Sequence, residues 1–245
     1  MKLFDDRICH LTFSNTDCAD VWKLYFSQMQ KFFSVGLDHF VAVNRSDSGL
    51  PTTIKPLFYN EKHPYPKRLL SCLEALEAYE FIFFDHEDMF LYSKPDHKEL
   101  ANYYELMQSG HFDHIRLIKG GDCRYERVFT CPSLYKLSLK SKWIFSIQPS
   151  FWRRTFLIDI LKANVTVNIW ELEVKSQKVV KKMLIDAAFS YRSGKRRGLH
   201  HFDNDIYPYI ATAIAKGKWN LGEYGAELEP LLERYQIDPT LRGWV

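Results

Sequence analysis

The sequence predicts an α/β fold in which a mixed, mostly parallel sheet is flanked by helices, followed by a C-terminal extension of helix and loop. Two observations lead to this prediction. Short apolar segments alternate with helical patterns over residues 7–91. One of these segments, Phe81-Ile82-Phe83-Phe84, is apolar on both faces, as in a strand covered by helices on both sides. Strands joined through a helix run parallel, because the helix returns the chain to the edge where the previous strand began, and such crossovers are right-handed.

The first elements along the chain are a strand, a helix and two more strands. Residues 7–13 are apolar and β-prone, and Ser14-Asn15-Thr16-Asp17 offers capping residues before a helical pattern over residues 21–32. Residues 40–43 and 54–59 are predicted as the second and third strands.

The next elements begin with a helix after Pro64 and Pro66, which leads into the strand at residues 81–84. Beyond it the patterns predict a helix over 98–107, strands at 114–118, 135–139 and 143–147, a helix starting at Ser150, and a short helix at 226–235.

Composition excludes several classes of protein. The chain has 245 residues and is 46% hydrophobic, so it can bury a full core and disorder is not expected. A formal charge of +3 is too small for a general nucleic-acid binder, and no nucleic-acid partner is predicted. The five cysteines never form a C-x-x-C pair, so neither a zinc ribbon nor a disulfide framework is indicated. With no apolar run of about 20 residues and no secretory leader pattern, we expect a cytoplasmic protein.

Four segments carry residue types suited to chemistry. Asp85-His86-Glu87-Asp88 follows the apolar strand, where carboxylates can hold Mg²⁺ or Mn²⁺, although acids in a solvated loop would look the same. On an extended chain, Asp85 and Glu87 would face one way and His86 and Asp88 the other. The other segments, each with an ordinary explanation as a surface or a helix terminus, are Ile147 to Arg154, Trp170-Glu171-Leu172-Glu173, and Gly194 to His201.

The order of these segments resembles the small GT-A type glycosyltransferases, which move a sugar from a nucleotide diphosphate to an acceptor. The likeness covers about residues 7–173 and rests on His63 to Leu70, Phe81 to Leu91, Ile147 to Arg154, and Trp170 to Glu173. It implies one domain over residues 1–245, with residues 1–120 as the nucleotide-sugar-binding half and residues 121–245 as the acceptor half with the extension.

The resemblance also implies roles for individual residues. The family's D-x-D motif would correspond to Asp85-His86-Glu87-Asp88, from which this chain departs by having D-x-E followed by Asp88. The donor would be bound by Phe13, Ser14, Asn15, Asp17, Arg68, Asp85, His86, Glu87, Lys195, Arg196 and Arg197. A Mn²⁺ or Mg²⁺ ion would be held by Asp85, Glu87, Asp88 and His200.

The acceptor side would follow from the late segments. The family's general base comes from an acidic motif in this place, so Glu171 or Glu173 is the expected base, with Glu171 preferred. Gln148, Trp152, Arg153 and Trp170 would contact a saccharide or glycolipid acceptor. A single base opposite the leaving group favours inversion at the anomeric carbon, and retention is the alternative that the sequence leaves open.

Two alternatives remain open from the sequence. A nucleotidyltransferase would use the same sheet and acidic motif, but its first loop is usually rich in glycine, and Ser14 to Asp17 contains none. A non-catalytic carbohydrate- or nucleotide-binding protein could share the fold.

Overall fold

A computed structural model describes residues 3–46, 49–121, 123–197 and 201–245. Six α-helices lie in these residues: α1 (Ala19–Phe32), α2 (Tyr65–Glu74), α3 (His97–Gln108), α4 (Arg154–Lys162), α5 (Ile169–Lys182) and α6 (Leu221–Tyr235). The strands are β1 (Ile8–Phe13), β2 (His39–Val43), β3 (Lys55–Phe58), β4 (Phe81–His86), β5 (His114–Arg116), β6 (Lys119–Gly120), β7 (Tyr125–Arg127), β8 (Leu134–Leu137), β9 (Ser150–Arg153), β10 (Ala187–Ser190), β11 (Arg196–Arg197), β12 (His201–Phe202), β13 (Ile214–Ala215) and β14 (Lys218–Trp219).

A large mixed sheet forms the centre of the fold, with strand order β3-β2-β1-β4-β9-β5-β10-β8-β7. The first four strands pair in parallel, and β5 pairs in parallel with β10. Only β8 and β9 run against the common direction of this sheet. The predicted fold class, a mostly parallel α/β sheet flanked by helices, is therefore confirmed.

The two faces of the sheet are covered by different helices, and β4 shows why. Phe81 and Phe83 pack in the core shared with α1, α3 and α6, whereas Ile82 and Phe84 pack in the core shared with α2, α4 and α5. Successive side chains of a strand point to opposite faces, so an all-apolar strand serves both cores. The same alternation sends Asp85 towards α1 and His86 towards α2.

The segment at Ser150 differs from the sequence prediction. Residues 150–153 form the central strand β9, and the helix begins only at Arg154, while residues 143–147 contain no strand. Phe151 lies in one core and Trp152 in the other, and the strand pairs with β4 on one side and β5 on the other. Two bulky consecutive residues that must be buried on opposite faces fit a strand better than one face of a helix.

No helix in the described residues is both long enough and apolar enough to cross a membrane.

Candidate functional site

The sheet reverses its strand order at β1. The chain proceeds outwards from β1 through β2 to β3, then returns to place β4 on the other side of β1. Crevices for ligands in such sheets open outside the carboxyl ends of the strands at this point of reversal. Phe13 and His86, the last residues of β1 and β4, are neighbours in register there. Topology alone thus selects the edge where the acidic segment was predicted to act.

The loop after β1 is closed by its own hydrogen bonds. Asn15 accepts from the backbone N–H of Asp17 at 2.9 Å, its carbonyl accepts from Cys18, and Asn44 accepts from the N–H of Thr16. Ser14 is buried, and its hydroxyl accepts from the indole of Trp22. These backbone N–H groups already have partners, which leaves them unsuited to cradling a phosphate.

An aromatic and polar wall, formed by Phe13, Tyr59, Asn15 and Glu61, lies next to this loop. Phe13 stacks on Tyr59 with ring centroids 5.1 Å apart. The Asn15 amide donates to the Tyr59 hydroxyl at 3.2 Å and to the Glu61 carboxylate at 2.9 Å. Of the residues predicted to bind the donor here, Phe13 and Asn15 lie on this wall, while Asp17 is exposed beside it.

Asp85 is fully buried on the α1 side of the sheet. Its carboxylate accepts a hydrogen bond from the Tyr25 hydroxyl at 2.8 Å and lies 3.0 Å from Nε2 of His10. His10 in turn stacks on His39 at 3.9 Å. Asp85 therefore belongs to a closed polar network in the core with Tyr25 and His10. The prediction that it contributes to a metal and donor site does not agree with this placement.

Glu87 and Asp88 occupy the turn that follows β4, so the alternation expected for an extended chain ends at His86. Burial, reinforced by the charge of Asp88, raises the pKa of Glu87 to about 8. Burial and the charge of Asp85 raise the pKa of Asp88 to about 7, against an opposing effect of Arg242. The two carboxylates, called the acid pair below, are therefore costly to ionise together.

The first turn of α2 faces the acid pair from the other core. The Tyr65 hydroxyl lies 2.8 Å from Nε2 of His86, and its pKa is raised well above the usual value by burial and by the charges of Glu173 and Glu87. Burial lowers the pKa of His86 to about 4, so its ring is neutral at neutral pH. Tyr65 thus contacts the last residue of β4 and lines the same cleft as the first turn of α5. It was missed among the site residues, although the quoted segment from His63 to Leu70 contained it.

A cleft of about 540 Å³ opens between the first turns of α2 and α5. Arg68 lines it, with Nε donating to the carbonyl of His63 at 2.6 Å and the guanidinium lying 5.5 Å from the ring centre of Tyr59. The other lining residues are Pro64, Tyr65, Thr166, Val167, Asn168, Ile169 and Glu171. Two helix N-termini and a fixed guanidinium give the cleft a positive potential suited to anions.

The two glutamates of α5 differ in what they contact. Glu171 closes a capping box with Asn168 and forms an ion pair with Lys175 at 3.5 Å, on the solvent side. Glu173 is largely buried, accepts from the N–H of Ile147 at 2.6 Å, and has its pKa raised by burial. The charge of Glu173 contributes to the raised pKa of Tyr65, but Glu171, not Glu173, lines the cleft.

The predicted acceptor residues are spread over both edges of the sheet. Trp152 is 1% exposed and stacks on His114 inside the core, so the prediction that it stacks on a sugar is wrong. Arg153 pairs with Phe81 at the opposite end of β4 and binds Asp113 and Glu80 there, because β9 runs antiparallel to β4. Its assignment to the acceptor side is also wrong. Gln148 does lie at the carboxyl edge, where it accepts from the Tyr209 hydroxyl at 2.7 Å.

Trp170, the fourth predicted acceptor residue, is 77% exposed at the start of α5. It is a neighbour of the cleft in sequence, but it is not among the lining residues.

The basic segment forms a small ribbon against α6. Arg197 is buried, binds Asp203 through Nε at 2.9 Å, and also contacts Glu227. Lys195 lies 4.0 Å from Glu227. Arg196 pairs in register with Phe202. These contacts tie Arg197 to structural carboxylates and away from the predicted role in donor binding. His200, predicted as a metal ligand, lies outside the described residues.

Metal binding can be tested against the side chains present. Within residues 3–46, 49–121, 123–197 and 201–245, no group of three or more His, Cys, Asp or Glu is arranged to hold an ion. The acid pair nevertheless fits a Mg²⁺ or Mn²⁺ ion that takes one or two protein carboxylates and completes its shell with substrate phosphates and water. A cation would also relieve the electrostatic cost of ionising both carboxylates.

No protein-family model and no curated protein matches the chain. Three of the similar solved structures are the bifunctional IspDF from Campylobacter jejuni, a 4-diphosphocytidyl-2C-methyl-D-erythritol synthase from Anaerococcus prevotii, and a UDP-glucose pyrophosphorylase complexed with UDP-glucose. Their TM-scores are 0.46, 0.45 and 0.49, and their sequence identities are 11%, 6% and 11%. The alignments cover 79%, 75% and 94% of this chain and 52%, 86% and 100% of the other chains, so this chain spans about half of the IspDF protein.

Proposed function

We propose that this chain is a transferase that uses a nucleotide sugar, and that it binds the nucleotide and its diphosphate at the carboxyl edge of β1 and β4. One observation carries the proposal. Tyr65 and Arg68 of α2 line the cleft, and the Tyr65 hydroxyl lies 2.8 Å from Nε2 of His86, the last residue of β4 before the acid pair, at the crevice that topology selects. Ligand sites of this fold class lie at that crevice.

The diphosphate would lie between Arg68 and the acid pair. Arg68 is held by backbone carbonyls and forms no ion pair with an acid in the described parts of the chain, so its charge is available to an anion. A divalent ion, when bound by Glu87 and Asp88, would supply the second positive charge on the departing diphosphate. Asn15, which is half-buried beside the buried rings of Phe13 and Tyr59, would lie next to the nucleoside.

Glu173 is the better candidate for the general base, which reverses the preference for Glu171 drawn from the sequence. A base needs a carboxylate that is fixed in position and has a pKa raised towards neutrality. The backbone N–H of Ile147 fixes one oxygen of Glu173, and burial raises its pKa. Both carboxylate oxygens of Glu171 are committed, one to the capping box and the other to Lys175.

The proposed reaction is a direct displacement. Glu173 takes the proton of an acceptor hydroxyl, and the oxygen forms a bond to the anomeric carbon from the face opposite the diphosphate. The bond from that carbon to the diphosphate oxygen breaks, and the diphosphate leaves with the electron pair. Displacement from the opposite face inverts the configuration of the sugar.

Nucleotidyl transfer is the second candidate. The descriptions of the similar structures, a diphosphocytidyl-methylerythritol synthase and a UDP-glucose pyrophosphorylase, fit this alternative better than glycosyl transfer, although likeness at these TM-scores carries no weight here. Against it, the backbone N–H groups of Thr16, Asp17 and Cys18 are bound within the protein. A phosphate-cradling loop needs such groups free.

One assay separates the candidates. The protein is incubated with Mn²⁺ and a panel of nucleotide sugars, and separately with nucleoside triphosphates and sugar phosphates. Release of nucleoside diphosphate supports glycosyl transfer, and release of pyrophosphate supports nucleotidyl transfer. Saturable binding with neither product would contradict both reactions.

The base is tested by a matched pair of variants. Glu173→Gln should lower turnover by about 10²- to 10⁴-fold while nucleotide affinity is retained, because one general base contributes that much. Glu171→Gln should leave turnover within about threefold and cost only about 1 kcal/mol of stability through the weakened cap. The opposite ranking of the two turnover losses would return the role to Glu171.

A further inference from the structure

One face of α5 combines exposed apolar side chains with a row of lysines. Trp170 is 77% exposed and Val174 is 61% exposed. At 100° per residue these two side chains share an arc of the helix with Lys178, Lys181 and Lys182. The opposite side of the helix, with Leu172, Ser176 and Val180, is buried in the core. The exposed arc therefore has no partner within the described structure of this chain.

The charge of this face is strongly biased. It carries four lysines, Lys175 included, and one acid, Glu171, which is paired with Lys175. This excess is as large as the formal net charge of +3 of the whole chain. Basic charge is thus concentrated where the exposed tryptophan lies.

A neighbouring loop extends the same surface. Gln177 of α5 accepts from the N–H groups of Ile144 and Phe145, which anchors this loop to the helix. Just before the anchor, Trp143 is 37% exposed. A second tryptophan next to the helix enlarges the apolar part of the surface.

We propose that this surface, the α5 face, docks on an anionic lipid bilayer. Lysines and an exposed tryptophan on one surface suit an anionic membrane, because lysines are attracted to anionic lipid and a tryptophan ring lies favourably at the level of the headgroups. A protein partner fits less well, because lysine is depleted at protein interfaces. A nucleic acid would use the lysines but would leave Val174 without a role.

The position of the α5 face gives docking a consequence. The first turn of α5 also lines the cleft through Asn168, Ile169 and Glu171. A protein docked through this face would hold the mouth of the cleft beside the bilayer. The docking inference itself rests on the surface and is independent of the reaction proposed above.

The test is cosedimentation of the protein with vesicles. Binding is compared between pure phosphatidylcholine and phosphatidylcholine containing phosphatidylglycerol, at low and high salt. The wild-type chain should bind the anionic vesicles only, and less at high salt. Lys178→Glu combined with Lys182→Glu should weaken this binding by about 20-fold or more, since each lysine near an anionic surface contributes about fivefold.

Matched control variants distinguish binding through the α5 face from an effect of the net charge of the chain. Lys94→Glu with Lys98→Glu makes the same charge change at exposed residues in and beside α3, on the other side of the sheet, and should weaken binding by less than about threefold. Trp170→Ser should abolish much of the quenching of intrinsic fluorescence by brominated lipid. Phe129→Ser, at a residue 94% exposed elsewhere, should not change the binding.

Three results would overturn the proposal: no binding to anionic vesicles, equal losses in the two double variants, or tight binding to a free polyanion that Trp170→Ser leaves intact. If the lysine variant does not fold, the salt dependence of the wild-type chain and the Trp170→Ser variant still decide the question.

Discussion

The acid pair after β4 and the basic ribbon of β11 and β12 each place like charges on consecutive residues. In the ribbon, Arg197 is buried against Asp203 and Glu227. At the acid pair, Glu87 is buried, and the negative charges of Asp88 and Asp85 add to the cost of ionising it. One cluster is neutralised within the fold, and the other retains an electrostatic cost that a bound cation could remove.

The difference teaches how a charged segment can be interpreted. A charge run whose counter-charges are supplied by the fold stabilises the fold, as the ribbon does against α6. A buried pair of like charges is retained at a cost to stability, and such groups concentrate at functional sites. The local sequences are equally charged, so the distinction lies in what each cluster meets in three dimensions.

The largest expected effect comes from neutralising the acid pair. Glu87→Gln combined with Asp88→Asn should lower transferase turnover by about 10²- to 10³-fold, because stabilisation of the leaving group is lost. At pH 9 without metal, the same variant should have a free energy of unfolding higher than that of the wild-type chain by at least about 1.4 kcal/mol, the equivalent of one pKa unit, because it lacks the two buried negative charges. Activity is measured by diphosphate release and stability by denaturant titration. A loss of both activity and stability would mean that the acid pair, like Arg197, serves to stabilise the fold.

Removing Arg197 should have the reverse pattern. Arg197→Met leaves Asp203 and Glu227 without their buried partner, so the free energy of unfolding should fall by about 3 to 5 kcal/mol. Nucleotide affinity of the folded fraction, measured by calorimetric titration, should remain unchanged. A selective loss of affinity with full stability would restore the ribbon to the donor site.

The pH dependence of stability distinguishes the acid pair from an ordinary ion pair. The folded pKa values of about 8 and about 7 lie above the usual carboxyl values, so the folded chain binds more protons than the unfolded chain between about pH 4 and pH 8. The contribution of the pair is therefore greatest at low pH and is lost as the pH rises through 7 and 8. The wild-type chain should lose stability relative to the Glu87→Gln, Asp88→Asn variant over this window. Parallel curves would contradict the raised pKa values.

The smallest effect is expected at the rim of the ribbon. Lys195 has a side chain that is 64% exposed and lies 4.0 Å from Glu227. Lys195→Ala should change the free energy of unfolding by no more than about 0.5 kcal/mol, as for an exposed ion pair. A much larger loss would mean that the ribbon depends on more than the buried Arg197.

Much of the fold could be predicted from the sequence, because the periodicities are strong. The strands at 8–13, 39–43 and 81–86 and the helices between them follow apolar patterns that match their burial. The strand at Ser150 was mistaken for a helix start, because its place between β4 and β5 depends on pairing with residues distant in sequence. Local patterns do not contain that information.

The acidic segment lies after β4 at the carboxyl edge of the sheet, as expected, but several other predicted site residues lie in the core or at the opposite edge. Strand alternation explains why Asp85 turns into the core, yet the turn that brings Glu87 and Asp88 together begins only after His86 and has no strong signal. Tyr65 was missed because its place beside His86 and Phe13 and in the cleft depends on tertiary contacts between residues distant in sequence. The prediction that Trp152 contacts an acceptor was wrong, because the burial of this side chain depends on tertiary packing.

The most direct measurement is a crystal structure of the chain grown with Mn²⁺ and a nucleoside diphosphate. We expect the diphosphate beside Arg68 at the first turn of α2, with the ion contacted by Glu87 or Asp88. Nucleotide bound elsewhere on the molecule, with Glu87 and Asp88 turned away from it, would rule out the proposed site.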